Sequence, residues 1–233
     1  MNETGTALRR RALMRAAGAG GALLLAGCGL VGLTRAPRLY TLTPKSTFPP
    51  DLRKVRWQLL VETPIAAAGL DTARIALTTS PITVDYFAGV SWTDRVPEMV
   101  QTLIVVSFEN SRAITSVGRD SVGLRADYLL RTEIRAFQAE YDGTPEAAKA
   151  PPTAHVRINA KLISVLHRSI EAVETFDFRI AARDGGFDSV IAAMDDALGK
   201  AVSRLVQWTL ETGREPTAEE PARSRPRPAL PGL

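Results

Sequence analysis

The sequence predicts an α+β domain built in two layers, a mainly antiparallel sheet carrying two long amphipathic helices on one face. Three observations lead there. Apolar residues recur every three or four positions in residues 91–110 and 187–211, as a helix with one buried stripe requires. They alternate with polar residues through 127–141, 155–166 and 169–181, the pattern of half-buried strands. These three strands follow one another with no helical stretch between them, which makes them an antiparallel meander.

The elements follow in chain order. Trp57 to Glu62 has strand composition and ends at Pro64. Arg74 to Thr78 and Thr83 to Phe87 are two short strands parted by Ser80-Pro81. Val96, Val100, Leu103 and Ser107, flanked by Met99, Val106 and Phe108, then form the stripe of the first helix. Thr93 or Asp94 can cap it, and Pro97 is tolerated in its first turn. Ile114 to Val117 is an edge or connecting strand. In the strand 127–141, Leu130, Thr132, Ile134 and Ala136 share one face, and Leu129, Arg131, Glu133 and Arg135 the other. Asp142-Gly143 and Pro151-Pro152 bracket an alanine-rich loop. The last helix carries Val190, Met194, Leu198, Ala201, Leu205 and Trp208 on one stripe and stops at Gly213.

The chain has 233 residues, which at roughly 150 per domain leaves no room for two large domains. Apolar residues at 45% and charged ones at 23% exclude wholesale disorder and a polytopic membrane protein. Its one cysteine, Cys28, excludes an intrachain disulfide framework and a cysteine-rich zinc site. Residues 1–27 read as an export signal: Arg9, Arg10, Arg11 and Arg15, a Gly/Ala/Leu-rich run from Ala16 to Leu25, then small residues. Leu25-Ala26-Gly27-Cys28 resembles the bacterial lipobox, which implies a diacylglycerol on the sulfur, cleavage before Cys28 and an N-acyl chain on the new terminus. Two or three acyl chains hold a protein to a bilayer essentially permanently, at about 0.8 kcal/mol per buried methylene. Gly29, the second mature residue, points by resemblance to the periplasmic face of the outer membrane. Arg10-Arg11-Ala12-Leu13-Met14-Arg15 resembles the twin-arginine export motif, and an ordinary arginine-rich secretory signal fits equally.

Losing the signal, with four arginines and Glu3, lowers the net charge from +4 to about +1, which removes the main support for a nucleic-acid partner. Residues 28–38 are the lipidated cysteine and a tether that reaches at most about 35 Å. Residues 39–213 are the domain. Residues 214–233 are a tail with five prolines, an acidic half (Glu215, Glu219, Glu220) and a basic half (Arg223, Arg225, Arg227), too polar to fold alone.

Catalytic patterns are absent from the sequence. His155 and His167 lie twelve residues apart with no cysteine or carboxylate cluster to complete a metal site, and they read as partly exposed strand residues. Asp195 and Asp196 are adjacent on a helix and diverge. There is no Gly-x-Ser-x-Gly elbow and no phosphate-binding glycine loop. The expectation is a protein without catalytic residues, metal or cofactor beyond the acyl groups on Cys28. Tyr86, Phe87 and Trp92 crowd the join between a strand and the first helix. They are either packing under the helix terminus or an exposed aromatic patch for a protein partner.

The lipobox cysteine, short tether, Tyr40-Thr41-Leu42, Tyr86-Phe87-Ala88, Trp92 before a Val/Leu-rich helix, Tyr128-Leu129-Leu130 leading to Phe137, and a final helix with Trp208 resemble the ABC-type transport auxiliary lipoproteins, the PqiC-like family. The Pro/Arg tail and the loop near Pro151 depart from the family pattern. The resemblance implies a non-catalytic lipoprotein that docks the periplasmic Mce-domain protein of an ABC permease and its ATPase, a system moving phospholipid or other lipids. It leaves self-association into a homo-oligomer open. An outer-membrane lipoprotein that binds or regulates a cell-wall enzyme is the alternative, and the ten-residue tether disfavours its longer reach.

Overall fold

A computed structural model describes residues 36–120, 125–141 and 150–215. The expected signal, Cys28, the alanine-rich loop over 142–149 and the tail from 216 onward lie outside the described residues. The chain forms β1 (Arg38–Tyr40), β2 (Val55–Val61), β3 (Ile65–Ala66), β4 (Arg74–Thr78), β5 (Asp85–Trp92), α1 (Val96–Ser111), β6 (Ile114–Arg119), β7 (Tyr128–Glu140), β8 (Thr153–Ser164), β9 (Ser169–Ala181) and α2 (Phe187–Thr212).

β7 is the spine of one sheet. β8 pairs antiparallel along all of it, and β9 antiparallel along all of β8, which is the expected meander. On its other side β7 is shared by three shorter strands, β2, β3 and β4, each parallel to a different part of it. β6 borders β2 in parallel, β5 borders β4 antiparallel, and β1 borders β5 in parallel. The long ladders are thus antiparallel, whereas the short pairings are mostly parallel. The α1 crossover between β2 and β6 brings the chain back in the same direction, as parallel neighbours require.

The period-two pattern of β7 works as expected in its first half: Leu130, Thr132 and Ile134 are buried while Arg131, Glu133 and Arg135 are exposed. A bulge then intervenes. Ile134 stands opposite Ile158 but Ala136 opposite Arg157, so Arg135 is the extra residue and the faces exchange. Phe137 and Ala139 carry the helix-facing side onward, opposite Val156 and Ala154, and Ala136 moves to the other face. Both helices pack on the same side of the sheet, α1 over β6 and β2, α2 over β8 and β9, and against each other. Val190, Met194, Leu198, Ala201 and Leu205 are buried on the predicted stripe of α2; Trp208 lies at its margin, half-buried.

Three boundaries depart from the sequence pattern. β5 runs on through Ser91 and Trp92, so α1 begins only at Val96. The reason is hydrogen bonding: Trp92 N donates to Ala73 O (2.7 Å) and Thr93 N to Tyr40 O (2.9 Å), which hold the segment in the sheet between β1 and β4. The N-cap is consequently Arg95, with no side-chain cap, rather than Thr93 or Asp94; Arg95 instead pairs with Glu98 at 3.1 Å and with Asp71. Gly213 ends α2 without the left-handed turn of a glycine cap, at φ −63°. A Cβ there would overlap the indole of Trp57, so the glycine serves close approach instead.

Candidate functional site

The aromatic residues singled out in β5 separate into different environments. Trp92 is 1% exposed and packs edge-on to Phe137 at 5.8 Å. It is core packing under the start of α1, which corrects its place on an exposed aromatic patch. Tyr86 and Phe87 are half-buried. Gly89, at φ +69° in the left-handed region, lets β5 bow away from β4, whose register jumps from Ser91 at Arg74 to Tyr86 at Ala76. The bow frees Phe87 to meet Phe187 at the start of α2 (4.9 Å) and Tyr141 (6.4 Å), and Tyr40 closes the group against Phe187 at 5.0 Å.

Tyr86 faces the other way. Its hydroxyl donates to Gly69 O at 3.0 Å, and the Arg74 guanidinium lies 3.6 Å from its ring centroid. Beside it the β4–β5 turn presents Ile82, 94% exposed, and Val84, 54% exposed. The turn is held by Thr83 N donating to Ser80 O at 3.3 Å and by the Ser80 and Thr83 hydroxyls at 2.9 Å, with Pro81 setting the backbone at its second position. Ile82, Val84 and Tyr86 form one apolar rim fixed to a rigid strand pair. Ile82 and Val84 have no periodic signal in the sequence; the Ser-Pro turn with an isoleucine at its tip is the only hint.

Burial raises the hydroxyl of Tyr141 above its usual range, and it does the same for Tyr40, where Arg38 opposes the shift and Asp188 adds to it. Below the ordinary value of 10.0 both hydroxyls are protonated in the folded and unfolded chain alike. Above it the unfolded chain releases its protons first, so stability falls as pH rises through and beyond that value. Thermal melts are expected to drop on the alkaline side. The Tyr40→Phe, Tyr141→Phe double variant should show a shallower drop, and an identical slope would contradict the assignment.

On the opposite face of the sheet His155 is 5% exposed, not partly exposed as the strand pattern suggested. Its Nδ1 lies 2.5 Å from Glu140 Oε1 and its Nε2 2.9 Å from Asp177 Oδ1. Arg179 bridges the same two carboxylates at 3.3 Å each. His167 sits in the turn after β8, so the two histidines share no site. The network ties β7, β8 and β9 together across their open face. Among the described residues no group of three or more His, Cys, Asp or Glu is arranged to hold a metal ion, and no helix is long and apolar enough to cross a membrane.

Comparison with known proteins places this architecture. Protein XCC0632 of Xanthomonas campestris, a DUF330 protein of known crystal structure, is 32% identical with a TM-score of 0.69, covering 75% of this chain and 95% of that one. A second crystal structure, of an uncharacterized protein, is 13% identical at a TM-score of 0.57, covering 74% and 98%, and shares the fold alone. The uncharacterized protein bll6063 of Bradyrhizobium diazoefficiens is 28% identical over 172 residues, 73% of this chain. The match spans only 44% of that relative's length. Residues 40–206, from β1 to the last turns of α2, match the family model of the ABC-type transport auxiliary lipoprotein component. The chain belongs to the ABC-type transport auxiliary lipoprotein component family.

Proposed function

We propose that this protein is a non-catalytic lipoprotein, held by acyl chains on Cys28 at the periplasmic face of the outer membrane. It docks the Mce-domain protein of an ABC permease and ATPase system that moves phospholipid or other lipids across the envelope. The observation that carries this reading is the family match over residues 40–206, which takes in nearly the whole sheet and most of α2. The rim of Ile82, Val84 and Tyr86 supports a docking role. Exposed apolar side chains grouped beside a half-buried tyrosine mark an interaction surface, and tyrosine is among the residue types that most often anchor one.

The test is capture of the full-length lipoprotein from crosslinked cells, followed by identification of what comes with it. The expected partner is the Mce-domain protein, and the Ile82→Asp, Tyr86→Ala variant, which removes two residues of the rim, should capture it at least about tenfold less well. Capture of a cell-wall enzyme in its place would support the regulatory alternative. Recovery of neither class would remove the docking reading.

A further inference from the structure

The helix-free face of the sheet carries an aliphatic row assembled from four strands. Leu60 of β2 stands beside Leu129 of β7, Leu129 beside Ile163 of β8, and Ile163 beside Ile170 of β9. All four point away from the helices, because Leu129 shares its face with the exposed Arg131 while Leu130 is buried in the core. The row spans three strand spacings, ~14 Å. Leu60, Leu129 and Ile163 are half-buried, Ile170 is 55% exposed, and Val173 beside it is 51% exposed. Grouped aliphatic side chains on an open face mark a contact surface. This one is separate from the rim at Tyr86, whose partner Ala76 stands beside Gln138, nine residues farther along β7.

Charges border the row. Arg131 is paired with Glu62, Arg135 with Glu133, and Arg157 and Arg179 with Asp177. Lys161, on the same face of β8 as Ile163, and Arg168, in the β8–β9 turn on the other side of the row, have no ion-pair partner among the described residues. Glu171, left out of the ladder by the bulge between Ile170 and Ala172, has none either.

The chain beyond α2 leaves the domain at this end of the sheet. Arg214 is bonded to the Tyr128 hydroxyl at 3.0 Å, and the Glu215 carboxylate accepts from Arg56 N at 3.0 Å, on the two strands that hold Leu129 and Leu60. We propose that the tail beyond Glu215 folds back onto the open face of its own molecule and crosses the aliphatic row, with Glu219 and Glu220 between Lys161 and Arg168. Neighbouring side chains of an extended chain point to opposite sides, so two adjacent glutamates serve cations on both sides of the row. Ala218, Pro221 and Ala222 bracket the glutamates and supply the apolar contact, and Arg223 follows toward Glu171. Residues 216–233 extend up to ~60 Å, well over the width of the row. A tethered segment meets its site at an effective concentration on the order of millimolar, so weak contacts suffice to hold it. None of this depends on the transport reading.

The test uses the full-length lipoprotein in its native membrane, with a thiol introduced by Ile170→Cys and read by maleimide labelling. Glu109→Cys, exposed on α1 in the helical layer, is the control. Removing residues 216–233 is expected to raise labelling at Ile170→Cys roughly tenfold, as for a site covered nine-tenths of the time, and to leave Glu109→Cys unchanged. In the full chain, Lys161→Glu with Arg168→Glu should raise it likewise, and adding Glu219→Lys with Glu220→Lys should restore protection. Labelling that ignores the tail would overturn the proposal, as would protection by another protein that survives the deletion, or charge reversal without rescue.

Discussion

Trp57→Ala is expected to cost about 3–5 kcal/mol, the range for truncating a fully buried large aromatic. In a domain of this size, each kcal/mol lowers the thermal midpoint by about 2–4 °C, so melting should fall by about 6–20 °C. The size of the effect comes from where the indole sits. Trp57 is wholly buried in β2, stands edge-on to Tyr128 at 5.0 Å in β7, and fills the space where Gly213 ends α2. The Tyr128 hydroxyl accepts from Arg214 N and donates to Arg214 O, both at 3.0 Å, which fastens the chain beyond the helix to the same spot. Removing the indole opens a cavity at the join of two strands and a helix end. Trp57→Phe, which keeps a ring, should lose distinctly less. A melting shift of only two or three degrees for Trp57→Ala would show that α2 is held elsewhere.

Cys28→Ser is expected to abolish acylation. A serine offers no thiol for the diacylglycerol, and cleavage of a lipobox signal waits for that modification. Labelling cells with radioactive palmitate should mark the wild-type protein and leave the serine variant unlabelled and unprocessed, absent from the outer-membrane fraction. The magnitude follows from anchoring: at about 0.8 kcal/mol per buried methylene, two or three acyl chains make membrane residence effectively permanent, and their loss removes all of it. Unchanged label or unchanged fractionation would refute the lipobox reading of Leu25-Ala26-Gly27-Cys28.

Much of the fold was legible because long elements repeat their signal. α2 spans 26 residues, so its three-and-four spacing is sampled over seven turns. β7, β8 and β9, at 12 or 13 residues each, state their alternation many times over. β1 and β3, of three and two residues, are too short to carry any period. Each exists only because a neighbour offers backbone partners, β5 for the first and β7 for the second. The bulge at Arg135 was hidden for a related reason: Ala136 fits either face, so composition does not mark the exchange.

The candidate site divides the same way. That Tyr86, Phe87 and Trp92 matter was readable from their crowding. Which of them reaches solvent was not, since it depends on Gly89 bowing β5 away from β4 and on Trp92 being drawn inward by backbone bonds to Ala73 and Tyr40 through its neighbour. Likewise the pairing of His155 with Glu140 and Asp177 joins residues up to 22 positions apart on three strands.

By itself, then, the sequence determined the class of fold, the two helices, the three-stranded meander and the resemblance to the auxiliary lipoproteins, because periodicity and short motifs are local properties of the chain. Only the tertiary structure decided that β2, β3 and β4 line β7 in parallel, that Trp92 is core, and that His155 is drawn between Glu140 and Asp177. Those outcomes follow from which backbone groups find partners once the whole sheet is assembled, and that competition is settled between segments far apart in the chain.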